Sequence, residues 1–440
     1  MACTYQSGEE NIVFSNELTQ RIRSQFPRIE RDIENKKRIF FDNAAGTCVL
    51  CKVAEAQSKV CIDLSANIHA SFDESQKGSS LLFEGRKAIA DLINASSPLS
   101  IVYGESATSL LFKLSYAIGR ELSGEENIVT TFLEHYANVS PWEELGRRHL
   151  VSEVRYAHLK KEDGTLDMDN LRSLVDKKTR VITVTGSSNL IGTKPPLEEI
   201  KKVARKVGAY FVVDGVGRIP HGPVDVQALD CDFLVFSGYK FFNVRGSFLY
   251  GKEDLLSRLE SYKIAPASKQ PPEKWEWGTQ SQTAFAGMRA VIEYLVWLAD
   301  QVGDTYENKF TSYSGRKRSL KVAMNAIEKY EMRLSKAMLI GSDENLGLAG
   351  MPDVEVYGIT DQDRFEERNS VFAFKIHNMN DEDVDKQLWK KHRIALRTGD
   401  LWSKTPEDFG VKSMIRASLA HYNTVDEINT LLRALRELTS

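Results

Sequence analysis

Residues 210 to 252 read YFVVDGVGRIPHGPVDVQALDCDFLVFSGYKFFNVRGSFLYGK, and this stretch decides the fold. It contains two short apolar runs, Tyr210 to Val213 and Phe233 to Phe236, which are typical of strands buried on both faces. The first run ends in Asp214 and the second in Ser237-Gly-Tyr-Lys240. In an open α/β sheet the carboxyl ends of neighbouring strands face one crevice. We therefore expect the carboxylate and the amine to address a single ligand.

The residue types at these two strand ends suit pyridoxal phosphate. The Lys240 amine can form a Schiff base with the cofactor aldehyde and later move protons at the substrate Cα. The Asp214 carboxylate can lie against the pyridine nitrogen and keep it protonated, which makes the ring a better electron sink. Ser237 can reach the phosphate. The alternative interpretation is an ordinary Asp at a strand end and a solvated Lys.

The motif Val213-Asp-Gly, then PVDV, then Ser-Gly-Tyr-Lys240 resembles the class V aminotransferase family, in particular its cysteine-desulfurase-like branch. Matching stretches follow in the family's order from about Arg21 to the C-terminus. The resemblance implies an α/β fold of the pyridoxal-phosphate fold type I: a large domain with a mostly parallel seven-stranded sheet between helices, and a smaller α+β C-terminal domain. It also implies pyridoxal 5'-phosphate as cofactor, Tyr239 beside that cofactor, and a homodimer with the site at its interface.

Length and composition are those of an ordinary globular protein. The chain has 440 residues, of which 42% are hydrophobic and 27% charged, and a formal net charge of -3. We predict a segment over 1–38 that packs on the small domain, a cofactor-binding domain over 39–300 and a small domain over 301–440. The charge does not indicate nucleic-acid binding. No apolar run suits a membrane span and no signal-peptide pattern begins the chain, so we expect a cytoplasmic protein.

A second region, residues 101 to 109, reads IVYGESATS and leads into the helical pattern LLFKLSYAIGREL. A strand, a turn of small residues and a helix N-terminus form a phosphate cradle, because unpaired backbone N–H groups and the helix dipole point at the ligand. Ser and Thr also cap helices, which is the alternative interpretation. In the register of the resembling family, Ala107 and Thr108 lie on the cofactor phosphate.

The resemblance assigns three more residues to the cofactor site. The pattern Glu134-His-Tyr-Ala-Asn138 implies that His135 lies flat against the cofactor ring, with one ring nitrogen left for proton transfer. A surface loop residue or a general base are the alternatives for this histidine. Asn189 resembles the residue near the cofactor hydroxyl and the substrate carboxylate. Thr279, in WEWGTQ, resembles a loop residue that reaches the phosphate of the partner subunit.

Two arginines near the C-terminus are candidates for binding a substrate carboxylate. A guanidinium grips a carboxylate with two hydrogen bonds, which a lysine cannot do. By motif, Arg416 binds the carboxylate of an α-amino acid. Arg397 is a second candidate, with pairing inside its own loop as the alternative. Solvated arginines would explain the sequence without any site.

The cysteines set this chain apart from the desulfurases that it resembles. Those enzymes carry a nucleophilic cysteine shortly after an Arg-x-Gly motif, and its thiolate takes the sulfur as a persulfide. Here the corresponding span is Thr398 to Pro406, with Trp402 at about the cysteine position, and no cysteine follows Cys231. Gly217 replaces the glutamine of the family's VDGAQ pattern, which we expect to open space beside the lysine.

The cysteines are otherwise few and scattered, which disfavours a disulfide framework. Cys48 and Cys51 have C-x-x-C spacing but lack a second pair or a histidine pair, so we expect packing and no metal site. The full set is Cys3, Cys48, Cys51, Cys61 and Cys231.

From these features we predict a pyridoxal-phosphate-dependent lyase that acts on an α-amino acid. The reaction is β-elimination such as C–S cleavage, or decarboxylative or annulating Cα–Cβ chemistry in specialised metabolism, and not that of a persulfide-forming cysteine desulfurase. The first alternative is an aminotransferase or amino-acid epimerase of the same family. The second is a non-catalytic paralogue. The presence of all four residues of the expected site argues against it: Lys240, Asp214, His135 and Arg416.

Overall fold

The computed structural model describes residues 13–306, 308–342 and 345–439. The strands of this part are β1 Ile39–Phe40, β2 Ile101–Gly104, β3 Asn127–Thr131, β4 Glu153–Ala157, β5 Thr179–Thr185, β6 Tyr210–Asp214, β7 Phe233–Ser237, β8 Ser247–Gly251, β9 Val354–Tyr357, β10 Val371–Ile376, β11 Ile394–Ala395, β12 Arg397–Gly399 and β13 Met414–Ser418. The helices are α1 Asn16–Arg23, α2 Cys51–Asp63, α3 Asp73–Leu92, α4 Ala107–Gly119, α5 Ser140–Arg147, α6 Met168–Leu174, α7 Leu197–Val207, α8 Val226–Leu229, α9 Glu253–Arg258, α10 Gln282–Val302, α11 Gly315–Leu339, α12 Asp381–His392, α13 Thr405–Phe409 and α14 Val425–Thr439.

A seven-stranded sheet with the order β2-β8-β7-β6-β5-β3-β4 organises the first part of the chain. Its strands pair in parallel from β4 to β7, whereas β8 runs antiparallel to both of its neighbours. Successive residues point to opposite faces: Val212 packs in one hydrophobic cluster and Val213 in the other. Because both faces are covered, the strands are continuous apolar runs, and the predicted α/β fold with a mostly parallel seven-stranded sheet is confirmed.

A smaller antiparallel sheet with the order β12-β13-β10-β9 follows later in the chain. The helix α11, which connects the two sheets, begins at Gly315 and runs for 25 residues. In the smaller sheet Arg397 on β12 lies directly opposite Arg416 on β13. This register brings both predicted carboxylate-binding arginines to one place.

The segment before the large sheet contacts the C-terminal part of the chain. The β1 strand pairs in parallel with β11, so that Ile39 lies opposite Ile394. Arg23 donates hydrogen bonds to the backbone oxygen of Tyr422 at 2.6 Å and to the Glu427 carboxylate at 3.0 Å. The first twelve residues of the segment predicted over 1–38, with Cys3 among them, lie outside the described residues.

The described residues contain no helix suited to span a membrane and no group of side chains suited to hold a metal ion. No helix in this part of the chain combines the length and apolar character needed to cross a bilayer. Within the same residues, no three His, Cys, Asp or Glu side chains are grouped so as to hold a metal ion. Cys48, Cys51, Cys61 and Cys231 are free thiols.

Candidate active site

The carboxyl ends of β5, β6 and β7 form the floor of a cavity. Thr185 lies opposite Asp214, which in turn lies opposite Val235. Ser237 ends β7, and a single 3-10 turn carries the chain on to Lys240. Thr185, Asp214, Ser237 and Lys240 line this cavity, as expected for neighbouring ends of a parallel sheet.

Lys240 lines both the floor cavity and the adjoining compartment at its mouth. Burial and, to a smaller extent, the positive charge of Arg416 lower the pKa of its amine to about 8, against the opposite effect of Asp214 and Asp42. Thr47 braces the turn, since its backbone N–H and its hydroxyl donate to the Tyr239 carbonyl at 3.2 and 3.3 Å. The neutral fraction of this lysine near neutral pH is therefore far larger than that of an exposed lysine, and the neutral amine is the nucleophilic form.

Asp214 is a buried carboxylate with an incomplete set of partners. It is 4% exposed, and its Oδ1 accepts a hydrogen bond from the Val216 N–H at 2.9 Å. Burial raises the pKa of Asp214, opposed by that N–H and by the Lys240 charge. A buried carboxylate is costly unless it is paired, so this position favours a ligand that brings a positively charged N–H.

His135 stands beside the cavity as a neutral ring. Its Nδ1 accepts a hydrogen bond from the Ala137 N–H at 2.9 Å, which places the proton on Nε2. Burial lowers the pKa of His135 to about 3, with the charges of Lys240 and Arg416 acting in the same direction. The imidazole is thus an uncharged, oriented surface on which an aromatic ring can stack.

The N-terminus of α4 reaches the same cavity. A capping box formed by Ser106 and Ser109 begins this helix, and Ala107 and Thr108 line the cavity together with Ser237. Free N–H groups at a helix N-terminus bind phosphate well. Thr279, in contrast, is exposed and lines neither of these two compartments.

The mouth compartment, of about 390 Å³, contains both arginines. Arg416 is buried, and it donates from Nη1 to the Asn189 carbonyl at 2.9 Å and from Nη2 to Asp42 Oδ1 at 3.1 Å. Among the described residues, nothing hydrogen-bonds the buried Nε of Arg416 or the buried Oδ1 of Asn189. Arg397 is half-exposed and is bonded to Asp42. Two unpaired buried polar atoms at one cavity indicate a polar ligand.

This set of groups fits pyridoxal phosphate together with an amino acid. The floor offers an amine at Lys240, a carboxylate at Asp214 and an anion cradle at the start of α4. The orphaned Oδ1 of Asn189 is an acceptor for a hydroxyl, and the orphaned Nε of Arg416 is a donor for a carboxylate. Of the sequence-predicted residues, all except Thr279 thus come together at these two compartments.

Sequence reasoning missed two residues of the site. Asp42 binds both arginines, and its signal was an acid that directly follows the apolar run Ile39 to Phe41. His221 lines the floor cavity, and its Nδ1 lies 2.6 Å from Oε2 of Glu331. Its only signal was a histidine between a proline and a glycine, which is typical of an ordinary turn.

Gly217 lines the floor cavity, although a side chain there would not point into open space. A Cβ at this position would lie 2.5 Å from the backbone oxygen of Ser187. The carbonyl of Gly217 also accepts a hydrogen bond from Asn369 Nδ2 at 2.7 Å. Glycine is required here because two backbone segments approach each other closely.

The loop after Arg397 presents Trp402 at the mouth. Leu401 and Trp402 both have left-handed backbone angles, with φ of 55° and 56°. Three hydrogen bonds hold this conformation: Tyr136 N–H to the Trp402 oxygen at 2.8 Å, Asn189 Nδ2 to the Leu401 oxygen at 3.1 Å, and Lys404 N–H to the Glu134 oxygen at 2.8 Å. Trp402 is 71% exposed, and its indole is nearly parallel to the His135 ring, with 6.4 Å between the ring centroids.

Comparisons with known proteins agree with this geometry. The sequence model of the family described as Aminotransferase class-V matches residues 39–316 and 318–431. The chain is 31% identical to the cysteine desulfurase of Pectobacterium atrosepticum over 95% of this chain and 97% of that protein. It is 31% identical to that of Cronobacter sakazakii over 94% and 97%. The apo structure of the cysteine desulfurase of Thermococcus onnurineus NA1 superposes with a TM-score of 0.80, at 26% identity over 95% and 97% of the two chains.

These comparisons correct the reaction predicted from the sequence. The relatives are cysteine desulfurases, and this chain matches them over nearly their whole length. The prediction that excluded a persulfide-forming enzyme is therefore wrong. The alternatives of aminotransferase, epimerase and non-catalytic paralogue find no support in them either. The error arose from the weight given to Trp402. A sulfur-accepting thiol need not belong to the residues that cleave the C–S bond.

Proposed function

Because this chain belongs to the class V aminotransferase family and is a pyridoxal-phosphate-dependent enzyme, we propose that it removes the sulfur of L-cysteine and passes it to a thiol as a persulfide. One observation carries the proposal. Lys240 lines the floor cavity with the buried carboxylate of Asp214 and the mouth compartment with the buried guanidinium of Arg416, in a chain similar to desulfurases throughout. The balanced reaction is L-cysteine plus a thiol, giving L-alanine plus a persulfide.

Each residue has a defined task in this reaction. Arg416 receives the substrate carboxylate on its unpaired Nε. Lys240 takes the proton from the substrate Cα and returns protons to carbon once sulfur has left, for which a pKa near 8 is suited. Pyridoxal phosphate would supply an electron sink when bound; Asp214 would keep its ring nitrogen protonated, and the neutral His135 ring would offer a surface for stacking. The electron pair of the broken C–S bond stays with carbon as the acceptor thiolate attacks sulfur.

The acceptor thiol comes from another molecule. Of the four described cysteines, none lines either compartment of the site. Cys48 and Cys231 are buried, and burial raises the pKa of both thiols, which makes them poor nucleophiles. The loop position that a cysteine would need holds Trp402 instead. Because no cysteine of the described residues lies at the site, we propose the thiol of a second protein or of a small molecule as the acceptor.

We further propose a homodimer in which Thr279 reaches the phosphate site of the partner subunit. Its exposure, with that of the neighbouring Trp277 and of Tyr262, leaves an apolar surface available for a second copy. A monomer would then bind the phosphate less tightly than the dimer does.

The test is a product assay on the purified protein loaded with pyridoxal phosphate. With L-cysteine and dithiothreitol as acceptor, we expect equal amounts of L-alanine and sulfide. Lys240→Ala should lose the near-visible absorption of lysine-bound cofactor and about 1000-fold or more in rate. Lys252→Ala, at a lysine paired with Asp230 away from the cavity, is the matched control and should keep both. Pyruvate and ammonia in place of alanine would refute the proposal.

A further inference from the structure

We propose that Asp42 and Arg397 form a positioning pair that sets how tightly Arg416 binds the substrate carboxylate. In this arrangement Arg397 does not touch the substrate but acts through Asp42. The inference rests on the proposed function only in that Arg416 receives the carboxylate of an amino acid.

Asp42 is shared unequally between the two arginines. Arg397 donates to it three times: from Nε to Oδ1 at 3.1 Å, from Nε to Oδ2 at 2.9 Å, and from Nη2 to Oδ2 at 2.6 Å. Arg416 donates to it once, from Nη2 to Oδ1 at 3.1 Å. The two guanidinium groups stem from directly opposed positions of β12 and β13, where like charges repel. Asp42 relieves that repulsion and is held mainly by Arg397.

The bond to Asp42 occupies part of the surface that the substrate needs. Of the Arg416 nitrogens, Nη1 serves the Asn189 carbonyl, Nη2 serves Asp42, and Nε is without a partner among the described residues. A carboxylate that binds with two hydrogen bonds takes Nε together with a neighbouring nitrogen. Nη2 carries two N–H groups, so the substrate shares this nitrogen with Asp42 and competes with that carboxylate for the positive charge of Arg416. The single negative charge of Asp42 balances only one of the two positive charges of Arg397 and Arg416. One positive charge therefore remains for the substrate carboxylate to neutralise.

Arg397 decides the outcome of this competition. It draws Asp42 toward itself, and so it weakens the hold of Asp42 on Arg416. At the mouth, the side chain of Arg397 is half-exposed, whereas that of Arg416 is buried. Asp385 is the second carboxylate, besides Asp42, that interacts electrostatically with Arg397. Without Arg397, Asp42 would have Arg416 as its remaining arginine partner and would bind it more firmly. Without the Asp42 charge, Arg416 would be free for the substrate.

The two substitutions therefore have opposite effects on carboxylate binding, which a merely structural role would not produce. The probe is L-alanine, titrated into the cofactor-loaded enzyme and followed by the change in near-visible absorption. We expect Arg397→Gln to raise the Kd about 3- to 10-fold, as suits its half-exposed ion pair with Asp42, and Asp42→Asn to lower the Kd by a similar factor. Arg397→Lys should restore most of the affinity, because a lysine also attracts Asp42.

A double-mutant cycle isolates the coupling. In the Asp42→Asn background, Arg397→Gln should change the Kd less than about 2-fold, since the partner through which it acts is gone. Arg364→Gln is the matched control: this arginine is paired with Asp163 and Glu367 away from both compartments, and its loss should leave the Kd unchanged. Thermal unfolding of each variant shows that it is folded.

Two results would overturn the inference. In the first, Arg397→Gln weakens L-alanine binding by the same factor in the wild-type and in the Asp42→Asn background. Arg397 would then contact the substrate carboxylate directly. If Arg397→Gln alone leaves the Kd unchanged, the pair does not affect Arg416, and this holds even should Asp42→Asn fail to fold. L-Alanine binding requires no C–S cleavage, so a desulfurase assay that fails while the Kd pattern holds refutes only the proposed function.

Discussion

The floor of the cavity is built from the ends of a buried parallel sheet, whereas its mouth is built from a hairpin and loop of the C-terminal part. On the floor, Asp214 and Lys240 follow apolar strands whose backbone is fixed by neighbours on both sides. At the mouth, Arg397 and Trp402 are half or more exposed and depend on hydrogen bonds from distant segments. In the proposed function, the floor binds the cofactor and the mouth receives the substrate and the acceptor.

The largest expected effect concerns the floor. Because burial lowers the pKa of Lys240 to about 8, the folded protein loses this proton earlier than the unfolded chain, whose lysine titrates near 10.4. Between these values the unfolded state binds more protons, so the free energy of unfolding of the cofactor-free protein rises with pH. Below pH 8 the full cost is present, on the order of 3 kcal/mol.

Urea unfolding at several pH values between 7 and 10.5 gives the free energy of unfolding of the wild type and of Lys240→Met. The variant has no amine to desolvate, so the difference between the two proteins measures this cost. We expect the variant to be the more stable protein near pH 7, and its advantage to shrink as the pH rises. A difference that stays constant with pH would show that the floor does not destabilise the charged lysine.

A smaller effect is expected where the floor meets the loop above it. Gly217→Ala puts a Cβ 2.5 Å from the Ser187 oxygen, so one backbone segment must shift. Overpacking of this kind costs about 1–3 kcal/mol in the free energy of unfolding. Gly146→Ala is the control, because the nearest atom to its Cβ would be 3.9 Å away. Equal stability of the two variants would mean that the floor can yield at this point.

The smallest effect is expected at the mouth. A substitution there should change the reaction rate little, but it should change which thiol receives the sulfur. Trp402→Cys puts a thiol where the relatives are expected to carry theirs and keeps the backbone strain, since any residue with a Cβ meets the same left-handed angle. With L-cysteine and no added acceptor, mass spectrometry should find a persulfide at position 402, while the rate with dithiothreitol stays within about 3-fold.

Ile33→Cys is the control, because this exposed residue lies outside both compartments and should gain no sulfur. A cysteine at position 402 that stays unmodified during turnover would show that the mouth does not present this position to the reacting sulfur.

Much of the floor could be predicted from the sequence, because its chemistry lies next to its strands. Asp214 and Lys240 end or follow apolar runs, and Ala107 opens a helix directly after a strand, so local patterns located all three. The mouth depends on contacts between segments far apart in the chain. Asp42 lies 355 residues from Arg397, and nothing local to either residue indicates the other. The orientation of Trp402 likewise depends on Tyr136 and Asn189.

The pairing of β1 with β11 has a consequence for biosynthesis. On the ribosome, every strand of the large sheet emerges before β11, so the lysine and its surroundings can fold while β1 still lacks its partner. Asp42, just beyond β1, must wait for Arg416, 374 residues later, and closing so long a loop is slow. During synthesis the cofactor site can therefore form before the substrate site. A protein released before Arg416 is made would absorb light through its bound cofactor but would be inactive.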